Sequence, residues 1–290
     1  MTMHSLAKTV GETFRDDKLV TRTARYVQQV GDTGKHRTGI YPAEMSHTEK
    51  CQRAIHYRLT DVPAEPTPTS IVMEVIFNHG NETHDWWQQK WWGMGILKGS
   101  FFCMACEMLW DDLSPLECPR CGRPRRFLKY REVPFRSREY NVVGRADADT
   151  TTDGLIEIKT IGTGTIRWEA PHLSEKYGQD WDTLWRNIKH PFPSHRKQGM
   201  LYCHFLEREE IKFIYEPKFV SAAPKEFVVK YEPTFIEEIL EECLAINRDV
   251  SSGRVPKRPE WAEKSHRTCA QCPYRKTCYA PVSRRNLDVK

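Results

Sequence analysis

The chain has 290 residues, with 44 Lys and Arg against 39 Asp and Glu for a net charge of +5, 39% hydrophobic and 29% charged. That length allows two domains or one elaborated domain with a sizeable core, so neither metals nor disulfides are needed merely to hold the fold. The slight positive excess excludes a histone-like arm or polybasic tail and permits an acidic partner without demanding one. No run approaches the roughly 18 apolar residues of a membrane span, and the first twenty residues lack the apolar core of a signal peptide. The expectation is a cytoplasmic protein with no membrane partner, in which ten cysteines are not a disulfide frame.

In chain order, residues 1–50 are polar and read as an N-terminal arm with some helix. Residues 51–99 read as a helical part: Cys51 heads the segment CQRAIHYRL, and the stretch from Ser70 to Trp92 is helical, crowded by Trp86, Trp87, Trp91 and Trp92. Residues 100–128 hold Cys103, Cys106, Cys118 and Cys121 in the spacing C-x2-C-x11-C-x2-C. Two such knuckles suit a tetrahedral zinc ion, each placing two thiolates on one side of a tight turn, and Pro119 and Gly122 are turn residues. This stretch is expected to be an inserted zinc-knuckle module.

Residues 129–250 carry the remaining regular structure. Val142 and Val143, then Leu155, Glu157 and Lys159, predict two strands joined by a polar turn at Asp149–Gly154. Trp181, Leu184, Trp185 and Ile188 have helical spacing within a long connection over 161–194. A helix is predicted over 195–209, and strands at a sheet edge over 211–216 and 226–232. Thr234 and Glu237 form a capping-box pattern ahead of an amphipathic helix carrying Ile236, Ile239, Leu240, Cys243 and Leu244. In the C-terminal segment, 251–290, Cys269, Cys272 and Cys278 read C-x2-C-x5-C. Three thiols leave a closed cluster one short; on spacing alone zinc and an iron–sulfur cluster both remain open.

The acidic residues suggest chemistry. Side chains two apart in a strand share a face, so Glu157 and Lys159 point the same way, where an aspartate from the preceding strand can meet them. Two carboxylates and a lysine at one point make an oxygen site for a divalent cation, with a positive charge to position a nucleophilic water, as phosphodiester hydrolysis requires. The bare pattern is weak, because surface strands often alternate Glu and Lys. It is joined by His84 in the G-x(3)-H of Gly80–His84, and by Gln198 and Tyr202, four apart and so on one helix face.

The order G-x(3)-H, G-x-x-D, E-x-K, Q-x(3)-Y and C-x2-C-x5-C, with Cys51 in front, resembles the PD-(D/E)XK nuclease superfamily. Within its RecB-like branch it is most similar to the iron–sulfur exonucleases of the AddB and CRISPR-adaptation type. The resemblance covers roughly Cys51 to Cys278. It implies an α/β, restriction-endonuclease-like core, a central mixed sheet flanked by helices, with an iron–sulfur-stapled C-terminal tail. It also implies that His84, Asp147, Glu157 and the Ile158 carbonyl hold magnesium or manganese, that Lys159 is catalytic, and that Gln198 and Tyr202 support the site. Cys51, Cys269, Cys272 and Cys278 would hold a structural 4Fe–4S cluster. Two features depart from the pattern: the zinc knuckle between His84 and Asp147, and the long stretch before Gln198. Asp149 is a second acidic candidate; the spacing from Gly144 favours Asp147.

Arg120, Arg123, Arg125, Arg126, Lys129, Arg131, Arg136 and Arg138 cluster around the knuckles, where they either contact phosphates or form a solvated face. Without a G-x(4)-G-K-[ST] loop the chain has no helicase motor. Unwinding must then come from a partner, a helicase or other replication or repair protein, unless the substrate is already single-stranded. The expected activity is a metal-dependent exonuclease on single-stranded DNA. The rivals are a structure-specific endonuclease and a non-catalytic nucleic-acid-binding adaptor with vestigial carboxylates.

Overall fold

The structure, a computed structural model, describes residues 19–30, 38–65 and 70–280. The chain divides into two units: Met1–Arg37, Cys51–His79 and Val255–Lys290 in one, Thr38–Lys50 and Gly80–Arg254 in the other. Residues 1–18 and 31–37 of the predicted arm lie outside the described residues.

In the first unit, helix α1 (Leu19–Val30) buries Thr21 and Ala24. Helix α2 (Pro42–Ser46) belongs to the second unit, α3 (Gln52–Leu59) to the first, and α4 (Ile71–Gly93) contributes residues to both. Cys51 is the residue before α3. The short C-terminal helices α10 (Arg267–Ala270) and α11 (Arg275–Tyr279) complete this unit. Chain segments distant in sequence are tied there by hydrogen bonds and a ring contact. Arg53 Nη1 donates to the Pro256 carbonyl at 3.0 Å, and Glu65 N donates to the Pro273 carbonyl at 2.8 Å. The Tyr57 and Tyr274 rings lie 5.6 Å apart.

The second unit is a mixed sheet flanked by helices. Its strands are β1 (Leu97–Cys103), β2 (Leu109–Leu113), β3 (Leu128–Tyr130), β6 (Ala148–Thr150), β7 (Gly154–Ile161), β8 (Glu210–Pro217) and β9 (Lys225–Lys230). They run in the order β2-β1-β6-β7-β8-β9, with β3 also paired to β1. Strands β4 (Val133–Ser137) and β5 (Val142–Ala146) form a separate antiparallel ladder. Among the strands of the described residues only β7 and β8 pair in parallel; a parallel pair needs a long crossover. That requirement accounts for the length of the connection holding α5 (Thr163–Glu169), α6 (Pro171–Tyr177), α7 (Trp181–Asn187) and α8 (Pro193–Phe205).

The central strand sorts its side chains by period two. Ile156 and Ile158 enter an apolar cluster with Trp91 and Trp92 of α4, Phe101 and Leu128. The opposite face meets α8. Its Gly199 comes so close to β8 that a β-carbon there would stand 2.4 Å from Phe213 Cζ. Helix α9 (Glu237–Ser252) follows β9.

Several sequence expectations need correction. The stretch 100–128 joins the main sheet: β1, β2 and β3 are strands of it, with Phe101 and Cys103 buried in its core. The polar turn is shorter than Asp149–Gly154, since Asp149 lies in β6 and Gly154 opens β7. The helix over 195–209 starts earlier, at Pro193, and stops at Phe205; Glu207 takes a φ of 53°, turning the chain toward β8. The capping box at Thr234 and Glu237 does not form. A 3-10 turn, Pro233–Phe235, leads into α9, whose cap residue Ile236 makes no side-chain cap. The last part of the expected arm is core: Ile40 bridges Val142 and is fully buried, as is Met45.

Candidate metal centre

Asp147 occupies the single residue between β5 and β6, where the chain leaves the small ladder for the main sheet. The register pairs Ala148 with Ile156, so Asp147 falls opposite Glu157 just beyond the ladder. Its carboxylate turns back: Oδ2 accepts from the Ile158 N–H at 2.6 Å, and Oδ1 stands 3.3 Å from His84 Nδ1. The Asp147 carbonyl accepts from Gln88 Nε2 at 2.8 Å. Gln88 is four residues along α4 from His84, so one helix face grips both ends of this residue.

Glu157 and Lys159 share the face of β7 that meets α8. Lys159 Nζ donates to Glu157 Oε1 at 2.7 Å and to Gln198 Oε1 at 3.0 Å. Gln198 Nε2 donates to Glu157 Oε1 at 3.0 Å and to the Tyr202 hydroxyl at 2.6 Å. Because its oxygen accepts from an ammonium, the amide can take one orientation only. Glu157 Oε2 is buried with no hydrogen-bond partner among the described residues, so it is free to accept from water or to bind an ion.

The electrostatics follow from this crowding. Burial, and then the Asp147 charge, pushes the Glu157 carboxyl up to about 8 despite Lys159. Burial opposes ionisation of Asp147 too, but His84, Lys159 and the Ile158 N–H outweigh it and hold its pKa below the ordinary value. For His84, burial favours the neutral ring; the charge and hydrogen bond of Asp147, with Glu157, overcome it and raise the pKa. Burial raises the Tyr202 phenol well above its usual value, and the Glu157 and Asp147 charges add to the shift.

Every residue of the acidic constellation thus enters one neighbourhood, with Ile158 between Glu157 and Lys159. Asp149 does not: its Oδ2 pairs with Arg208 Nη2 and Lys98 Nζ, each at 3.0 Å. Two contributors escape the sequence reading. Gln88 could have been found by its i,i+4 spacing from His84. Glu132 carries no such signal; one of its oxygens lies within 4.8 Å of ligand atoms of His84 and Asp147.

The four knuckle cysteines form a second group, with ligand sulfurs within 4.8 Å of one another. Cys103 Sγ and Cys121 Sγ are 3.6 Å apart, as are Cys106 Sγ and Cys118 Sγ. Tetrahedral thiolates with bonds of about 2.3 Å to zinc stand roughly 3.8 Å apart, so the set fits a single ion. Each knuckle closes the same way: Glu107 N donates to Cys103 O at 2.8 Å and Gly122 N to Cys118 O at 2.9 Å. Both donors take a positive φ, 57° and 64°.

The third set, in the first unit, is looser. Burial raises the Cys51 thiol, and Cys272, Cys278 and Cys269 add to the shift by their charge, so the four are neighbours. Of the basic residues near the knuckles, Arg125 is committed to the fold, donating to Gln89 O and lying over the Trp92 ring. Arg120, Arg123, Arg126, Lys129, Arg131, Arg136 and Arg138 are exposed.

No protein-family model matches the sequence, and no curated protein matches it. Among solved structures it is similar to an alkaline exonuclease, LHK-Exo, from Laribacter hongkongensis, at 19% identity and TM-score 0.31 over 42% of this chain. That match spans 57% of the exonuclease chain, little more than half its length. A complex of LHK-Exo with dAMP aligns at 12% identity and TM-score 0.41, covering 76% of this chain and 91% of that one. A protein titled SSO0001 aligns at 12% identity and TM-score 0.39, covering 92% of this chain and 100% of the other. These three scores are all below 0.5, and the functional conclusion rests on the geometry of this chain alone. Among the described residues no helix is long and apolar enough to cross a membrane.

Proposed function

We propose that this chain is a divalent-metal-dependent deoxyribonuclease, acting as an exonuclease on single-stranded DNA ends. The observation that carries the proposal is the buried Glu157, opposite Asp147 in register, with one oxygen held by Lys159 and Gln198 and the other unpartnered. Magnesium or manganese bound by His84, Asp147, Glu157 and the Ile158 carbonyl would lower the pKa of water and neutralise charge on the phosphate.

The chain's own groups do the rest. Lys159 presents an ammonium whose direction is fixed by two acceptors; it orients the attacking oxygen. Gln198 keeps Glu157 and Lys159 in register, and Tyr202 holds Gln198. The exposed arginines beside the knuckles supply sequence-independent phosphate contacts, and unwinding comes from a partner such as a helicase.

Zinc suits the four knuckle thiols on the fit of their sulfur separations. A 4Fe–4S cluster suits Cys51, Cys269, Cys272 and Cys278. Among the described residues these four are not within the 4.8 Å that marks the knuckle set, and a cluster of four irons spreads its thiolates wider than one ion does.

End-labelled linear and circular single strands, incubated with manganese, test the reading. Linear DNA is expected to be degraded and circles spared, with Glu157→Gln inactive yet still binding DNA. Cutting of circles would assign an endonuclease, and undiminished cleavage by Glu157→Gln would reject this site.

A further inference from the structure

His195, which no motif marks, stands on α8 three residues before Gln198, one turn nearer the helix start and on the same side. The first turn of α8 is pinned. Ser194 Oγ donates to Glu169 Oε1 of α5 at 2.6 Å, and Phe192 N donates to the Tyr215 hydroxyl at 2.8 Å. Tyr215 pairs with Lys159 in the β7–β8 register, as Phe213 pairs with Glu157. Residues paired across a ladder share a face, so Tyr215 rises beside Lys159 toward α8. It meets His195 there: the two rings lie edge to face at 5.4 Å, and the Tyr215 hydroxyl is bonded to His195 Nδ1.

These bonds fix the tautomer. Tyr215 is fully buried, so its hydroxyl proton needs an acceptor. The Phe192 N–H can only donate, and the imidazole is the other group bonded to this hydroxyl among the described residues. The hydroxyl therefore donates to Nδ1, and the neutral ring carries its own proton on Nε2. Nε2 has no hydrogen bond among the described residues, nor is it among the buried atoms left without one; it opens to solvent from a half-buried ring. Lys159 repels a cation from this place, and its ammonium also favours the uncharged ring. An anion is drawn instead. A fixed N–H donor beside an ammonium, in the first turn of a helix, suits a phosphate. Three helical residues rise about 4.5 Å, so the donor lies a step along from the atoms that Gln198 holds.

We propose that His195 Nε2 donates to an oxygen of the DNA phosphate next to the one being cut, which makes His195 a substrate-binding residue outside the metal group. The inference rests on the nuclease reading, which identifies the anion as DNA.

Single strands carrying one uncharged methylphosphonate at successive positions test it, bound to full-length Glu157→Gln protein so that nothing is cut. With His195 present, one position should weaken binding about tenfold, the worth of a hydrogen bond to a charged group. In Glu157→Gln/His195→Phe that position should lose its effect, while all others act alike on both proteins. His195→Gln, whose amide also donates, should restore the sensitivity. Equal responses of the two proteins at every position overturn the proposal; a merely structural histidine would give that result. If His195→Phe fails to fold, nitrogen NMR of histidine-labelled wild type decides. His195 should be the Nε2–H tautomer and its Nε2 resonance should move when the strand is added; the other tautomer, or an unmoved resonance, overturns the proposal. Digestion by the wild type separates the two readings. Coupling to one phosphate without hydrolysis rejects the nuclease and keeps the contact, whereas hydrolysis that needs Glu157 but shows no coupling does the reverse.

Discussion

Gly199→Ala tests how the crossover helix sets the site. An added β-carbon would stand 2.4 Å from Phe213 Cζ and 3.2 Å from Ile211 Cγ2, against an ordinary contact of about 3.5–4.0 Å. Phe213 and Ile211 are fully buried and have nowhere to swing, so α8 must retreat by about an ångström to restore contact distance. Overpacking of this size costs about 1–3 kcal/mol, while alanine recovers about 1 kcal/mol of helix propensity. The net loss of stability is then roughly 0–2 kcal/mol, small enough for the protein to fold. The site is less forgiving. Gln198 is the adjacent residue, and its bonds to Lys159 and Glu157 are 3.0 Å long. A shift of about an ångström breaks them, and misplacement of that order costs about a hundredfold in rate. Urea melts and digestion of end-labelled single strands on the same preparation measure both effects. A variant about 1 kcal/mol more stable than wild type, with full activity, would refute the idea that α8 seats on β8 at van der Waals contact.

Three further outcomes follow from the structure. Cys106→Ser should release the one zinc per chain expected of the knuckles and lower the melting temperature, whereas Cys272→Ser should bleach the visible iron–sulfur absorption and leave zinc in place; metal analysis with absorbance checks both. His195 is half-buried beside Tyr215 and Phe192, and loss of hydration there, aided by Lys159, holds its pKa well below 6.5. As pH falls below 6.5 the unfolded imidazole gains a proton that the folded one refuses, so stability drops there, and the slope of melting temperature between pH 7 and pH 5 (about the range set by these values) should flatten in His195→Gln. Tyr202→Phe removes the oxygen that receives the Gln198 amide; activity should fall by more than stability, whose change is about 1 kcal/mol for one hydrogen bond, as paired digestion and melting will measure.

What the sequence made legible was periodic or spaced by fixed rules. The C-x-x-C knuckles, the E-x-K alternation and the Gln198–Tyr202 helix face are local patterns, and the structure assembles each as a local unit. Breaks in regular structure were opaque. Asp147 sits where one ladder ends and another begins, and nothing in Arg-Ala-Asp-Ala announces a change of sheet. Glu132 is placed by a left-handed turn that has no glycine or asparagine to signal it. The Thr234 cap failed for a related reason: Pro233 suits the start of a 3-10 turn, which satisfies the donors that the cap would have served. Capping rules weigh one side chain against water, and here a backbone alternative won.

The charge balance of the site bears on whether its carboxylates are vestigial. Glu132, Asp147 and Glu157 face Lys159 and His84. Arg145 also pairs with Glu132, so three carboxyl groups meet the positive charges of Lys159 and Arg145, and burial with the Asp147 charge pushes Glu157 toward its protonated form, which a divalent ion would reverse. Leaving a buried acceptor such as Glu157 Oε2 unpaired costs about 1–3 kcal/mol, and apolar replacements of buried charges are often neutral or stabilising. In a protein that used this surface only for docking, such a cost would bring no return. Here the network of Lys159, Gln198 and Tyr202 restrains the Glu157 carboxylate by its other oxygen. The expense therefore favours a site under functional demand: a carboxylate destabilised in the metal-free protein is one prepared to bind a cation tightly, because binding relieves repulsion already present in the fold.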